Sequence, residues 1–100
     1  LMFFADKLPV AEAERLGLVN RVVPADELEA AATEWAARLA TGPTRALALT
    51  KWLVNRSLES DRATAFADEA LAQELTMTSA DAQEGVAAFV ERRDPTYHGW

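Results

Sequence analysis

The sequence predicts a mainly α-helical protein with one short strand. Three observations carry this. Apolar residues recur at helical spacing along most of the chain, and Gly and Pro stand where helices would start or stop. Only Leu18 to Val23 is short and Val-rich enough to read as a strand.

The elements follow in order. Leu1-Met2-Phe3-Phe4 reads as the last turn of a helix that began outside this chain. It has neither the basic start nor the long apolar run of a signal peptide. Pro9 to Leu16 reads as a short helix: Pro9 suits a first turn, Ala11, Glu12, Ala13 and Glu14 are good formers, and Gly17 is its stop. Pro24 ends the strand candidate. Asp26 and Glu27 then suit a first helical turn, ahead of an apolar stripe of Leu28, Ala32, Trp35 and Leu39. Gly42-Pro43 breaks that helix, and Pro43 opens another that runs to Leu58. Its Leu49, Trp52, Leu53 and Val54 predict cover on more than one side. Ser60-Asp61 reads as a cap, followed by Ala63, Phe66, Ala67, Ala70, Leu71 and Leu75 at helical spacing. Thr78-Ser79-Ala80-Asp81 carries a Thr-x-x-Asp helix start. The last helix lines up Ala82, Val86, Phe89 and Val90 on one face and stops at Asp94-Pro95.

Composition bounds the function. Twenty-one of the 100 residues are Ala, and none is Ile. Each buried methylene contributes roughly 0.8 kcal/mol, so Ala-rich helices are expected to need a partner surface. Ten basic and sixteen acidic residues give a formal charge of −6, which argues against nucleic acid. The absence of cysteine excludes disulfides and thiolate metal sites and is compatible with a reducing cytoplasm. No apolar run approaches the roughly 20 residues of a membrane span.

Chemistry-bearing patterns are few. His98 stands near the end of a tail flanked by Pro and Gly, where a general base would be poorly held, and it reads as an exposed tail residue. One His and scattered carboxylates make no metal-ligand spacing. The four glycines lie too far apart for a phosphate loop. Carboxylate pairs such as Glu12/Glu14, Asp68/Glu69 and Glu84/Glu91 read as wet helix faces. Gly85, inside a good helix, points to tight helix packing or to close approach of a backbone or ligand. Arg92-Arg93 either complements the helix dipole or grips a phosphate.

Two segments narrow these choices. The run from Val10 to Leu28, with Ala11-Glu12-Ala13-Glu14, Gly17-Leu18-Val19-Asn20, Val22-Val23-Pro24 and Glu27-Leu28, resembles a signature of the enoyl-CoA hydratase/isomerase (crotonase) superfamily. The run from Ser79 to Pro95, with Asp81, Glu84-Gly85, Ala88-Phe89 and Glu91-Arg92-Arg93, is similar to that family's closing motif. Gly42-Pro43-Thr44 and Thr50-Lys51 also fall where the family tends to have them.

The resemblance implies the helical C-terminal region of a crotonase-like ββα spiral fold. Residues 1–24 would end the spiral core, and residues 25–100 would form a helical region for self-association as a trimer or a dimer of trimers. The family's oxyanion-hole N–H groups and catalytic glutamates lie upstream, which implies no catalytic residue in this chain. What carries over is CoA binding by Phe89 and Arg92, reaching the nucleotide held by a neighbouring subunit. The common residue at the Arg92 position is Lys, a departure in contact geometry. Phe3-Phe4-Ala5-Asp6-Lys7 also departs from the usual Thr-Gly step, and the loop there often walls the acyl pocket, so an unusual substrate is one implication.

The implied activity is hydration of a 2-enoyl-CoA by a longer enzyme. The alternatives are an isomerase, another crotonase-type reaction on acyl-CoA, or a non-catalytic helical assembly module. Acyl-CoA is then the substrate, with no cofactor, no metal, no nucleic acid and no membrane. Eight Arg against two Lys, with abundant Ala, lean towards a bacterial, cytoplasmic protein.

Overall fold

Gly17, at φ +73°, ends the first helix where its position in the sequence predicts. The computed structural model describes residues 3–100. Helix α1 covers Val10–Arg15, and the Gly17 and Leu18 N–H groups donate back to the Glu14 and Ala13 carbonyls at 2.9 Å each. Such bonds satisfy carbonyls that a helix end leaves free. The expected helical turn over Leu1-Phe4 lies in part on residues 1 and 2, outside the described residues; Phe3 and Phe4 form an exposed turn.

Leu18 to Val23 is irregular, and the described residues contain no strand. This corrects the sequence reading, and the reason is physical. Val favours extended backbone, but a strand also needs a neighbour to complete its ladder of N–H and C=O groups. Here the Val22 N–H donates to the Glu14 carboxylate at 3.0 Å instead.

Two compact units divide the chain, one ending at Trp35 and one running from Ala36 to Trp100. The first holds α1, a 3₁₀ turn at Ala25–Glu27 and the start of α2, Leu28–Ala40. Asp26 and Glu27 lie in that turn, as expected of acidic residues at a helix entrance.

The second unit contains α3 (Thr44–Ser57), α4 (Arg62–Met77) and α5 (Ala80–Glu91), with α4 packed against both others. Ser60 Oγ donates to the Arg56 carbonyl at 2.8 Å, and Asp61 caps α4 by accepting from the Thr64 N–H at 2.9 Å. That contact holds the Asp61 carboxyl below its usual range. Arg56 pairs with Asp68 across α3 and α4 and lies over the Trp52 ring, 5.6 Å from its centroid.

The buried hydrophobic residues among those described are Ala72 and Ala88, two small side chains. Leu28, Trp35 and Leu39 on α2, and Trp52 and Val54 on α3, keep much of their surface open. The expected stripes therefore exist as helix faces, yet the described residues leave them largely uncovered.

Candidate functional site

Helix α5 and the tail after it are joined by a run of polar contacts in the second unit. Ser79, not Thr78, caps α5: its Oγ accepts from the Ala82 N–H at 3.1 Å and donates to the Thr76 carbonyl at 2.7 Å. That hydroxyl fastens the end of α4 to the start of α5.

At the other end, the chain turns at Arg92, which sits in the left-handed region at φ 56°, ψ 43°. The Arg92 N–H donates to Phe89 O at 3.3 Å and the Arg93 N–H to Ala88 O at 3.1 Å. This is the helix-ending motif usually built on glycine, here built on arginine.

The tail then runs back along α5 over residues 81, 84, 85 and 88, which share one face at helical spacing. Glu84 accepts two hydrogen bonds from the Arg93 guanidinium, at 2.6 and 2.9 Å, and one from the Thr96 N–H at 2.8 Å. Asp81, only 3% exposed, accepts from the His98 and Gly99 N–H groups at 2.7 and 2.8 Å. The Asp81 N–H donates to Trp100 O at 3.1 Å.

One of the sequence expectations is corrected by this arrangement. The tail is held rather than fraying, although His98 is exposed as expected and stacks on Trp100 with centroids 5.8 Å apart. The inward face of α5 carries Asp81 and Ala88, whereas Val86, Phe89 and Val90 face outward. Gly85 leaves room for neither a ligand nor a second backbone. A Cβ there would stand 3.3 Å from the Tyr97 hydroxyl oxygen, so the missing side chain admits Tyr97.

The Glu84/Glu91 pair lies at the surface, as a wet face would, and both carboxylates bind Arg93, Glu91 at 2.6 Å. The two Arg93 bonds and the Thr96 N–H hold the Glu84 carboxyl down to about 2, and the same carboxylates push Arg93 up. A carboxylate fixed that low stays ionised and is a poor proton carrier near neutral pH.

Arg92 and Arg93 thus have different fates. Arg93 is fully engaged, while Arg92 makes no ion pair or side-chain hydrogen bond among the described residues. Phe89, one helical turn before it, is 85% exposed. The end of α5 therefore presents an exposed aromatic ring and, at the residue that caps it, a guanidinium with no partner among the described residues.

Nothing else described resembles an enclosed site. Two open clefts between α3 and α4 hold about 210 and 250 Å³, below the roughly 300–1,000 Å³ usual for small-molecule pockets. Among the described residues no group of three or more His, Cys, Asp or Glu could hold a metal ion, and no helix is long and apolar enough to cross a membrane.

Residues 1–99 match the family described as Enoyl-CoA hydratase/isomerase. The chain belongs to that family. A short-chain-enoyl-CoA hydratase of Clostridium acetobutylicum is 36% identical over 93 residues, covering 93% of this chain and 36% of that protein. The mitochondrial enoyl-CoA hydratase domain-containing protein 3 of Rattus norvegicus is 34% identical over 99 residues, 97% of this chain and 32% of its own length. Among solved structures, an enoyl-CoA hydratase of Mycobacterium smegmatis superposes with a TM-score of 0.87 at 34% identity, over 95% of this chain and 37% of that one. The chain spans about a third of the length of the enoyl-CoA hydratase relatives it matches.

Proposed function

We propose that this chain is the C-terminal segment of an enzyme acting on acyl-CoA thioesters, one that adds water across the double bond of a 2-enoyl-CoA. Family membership supports the substrate class. The observation that carries the segment's own role is the last turn of α5, where exposed Phe89 stands one turn from Arg92, whose guanidinium no residue of the described chain engages.

An aromatic face suits the adenine or pantetheine of CoA, and a guanidinium suits its phosphates. On this reading residues 1–24 close the core region, and residues 25–100 form a helical surface for a trimer or dimer of trimers. The open apolar faces of α2, α3 and α5 would be covered there. Phe89 and Arg92 would edge the CoA site of a neighbouring subunit. The proton transfers and oxyanion stabilisation belong to residues outside this segment. No cofactor is required beyond the CoA of the substrate, and the cysteine-free sequence fits a cytoplasmic setting.

The test is hydration of crotonyl-CoA, followed as loss of the conjugated absorbance. The full-length enzyme is expected to turn over, and the 100-residue chain alone is not. Sustained turnover by the chain alone would overturn the assignment of the chemistry to the rest of the protein.

A further inference from the structure

The turn at Arg92 is anchored on both sides and its central side chain is not. On the helix side, the Arg92 and Arg93 N–H groups return to Phe89 and Ala88 carbonyls. On the tail side, Glu84 takes both the Arg93 guanidinium and the Thr96 N–H. Glu91, just before the turn, also binds Arg93. The left-handed backbone at position 92 is one that L-residues with side chains rarely adopt and that glycine adopts freely. An arginine kept there has its Cα–Cβ direction set by that backbone, so relaxing the turn swings the guanidinium elsewhere.

We infer that Glu84 is a positioning residue: by clamping Arg93 and Thr96 across the turn it fixes Arg92 in the left-handed conformation that aims its guanidinium at a phosphate of bound CoA. This rests on the reading of Arg92 as a CoA contact. Glu84 itself need touch neither substrate nor Arg92. It also removes Arg93 as a competing cation, leaving one guanidinium at the site rather than two.

The experiment is steady-state kinetics of the full-length enzyme with crotonyl-CoA, comparing Glu84→Gln, Arg92→Ala and the double variant. Each single change is expected to raise KM roughly tenfold, as loss of one charged hydrogen bond would, with kcat within about twofold. The double variant should be no worse than Arg92→Ala alone, since both act through the same contact. Arg93→Lys keeps the charge but loses the two-pronged grip on Glu84. It should raise KM in the same direction, and it serves if Glu84→Gln does not fold.

A rise for Arg92→Ala with no rise for Glu84→Gln or Arg93→Lys overturns the positioning role and leaves the CoA contact standing. So does a double variant whose KM is the product of the two single effects. A fall in KM for Glu84→Gln would mean that a released Arg93 does the work of Arg92, and it too overturns the proposal. No change for Arg92→Ala sinks the CoA contact and the positioning role together.

Discussion

Glu84 and Arg93 face each other across the left-handed turn at Arg92, joined by charged hydrogen bonds of 2.6 and 2.9 Å. One carboxylate therefore decides which of two adjacent arginines is engaged and which is presented. It also ties the tail to the helix that precedes it, because the same carboxylate accepts from Thr96.

The tie should fail in acid. Glu84 titrates at about 2 in the folded chain against an ordinary 4.5. A carboxyl depressed on folding contributes stability above its unfolded value and loses it as the pH falls through the folded one. Protection of the Thr96 amide is expected to hold from neutral pH to about 4.5 and to fall progressively between there and about 2. Protection that stays flat between those two values would contradict the clamp, and Glu84→Gln should abolish the dependence.

Asp81→Ala should release the last residues. The buried carboxylate receives two backbone N–H groups, and hydrogen bonds to a charged group are worth about 1.5–3 kcal/mol. Exchange at the Gly99 amide should therefore rise by on the order of a hundredfold while α3 is unaffected. Unchanged protection would mean that Tyr97 packing alone retains the tail.

Arg92→Gly should stabilise the fold by about 1 kcal/mol, because glycine enters the left-handed region without the steric cost an arginine bears. Chemical denaturation measures it. A stability gain with weaker CoA binding is the signature expected of a strained residue kept for function; a loss of stability would show the turn carries no strain.

Gly85 separates helix propensity from packing. Ala would add about 1 kcal/mol of helix preference but press on Tyr97, whose hydroxyl oxygen lies 3.3 Å from the new Cβ. Gly85→Ala should be close to neutral in thermal melts, and Gly85→Leu should cost about 1–3 kcal/mol by displacing the ring. A neutral Leu would mean the tail does not rest there.

Much of the helical layout was legible because its signals are local. Gly17, Asp61 and the Pro43 break act within a turn or two of themselves, and each stands at a helix boundary. The strand was misread because Val-rich sequence states a backbone preference, whereas a strand also requires a partner that local sequence cannot reveal. The apolar face of α5 shows the same limit: spacing reveals that a face exists, not what covers it. Asp81 and Tyr97 were missed as the tail's anchors. The signal was present, since Asp81, Glu84, Gly85 and Ala88 repeat as one polar and small face. Its meaning depends on a chain reversal at a non-glycine residue, where helix-stop rules look for glycine. The closing motif singles out Phe89 and Arg92, whereas which arginine pairs with a carboxylate needed the geometry of Glu84.

The most direct test of the account is a crystal structure of the full-length protein with CoA bound, read at one distance. The guanidinium of Arg92 is expected within about 3 Å of a CoA phosphate oxygen held by a neighbouring subunit, with Phe89 against the nucleotide or pantetheine arm. Well-defined CoA with Arg92 turned to solvent and Phe89 buried in a subunit contact would contradict it.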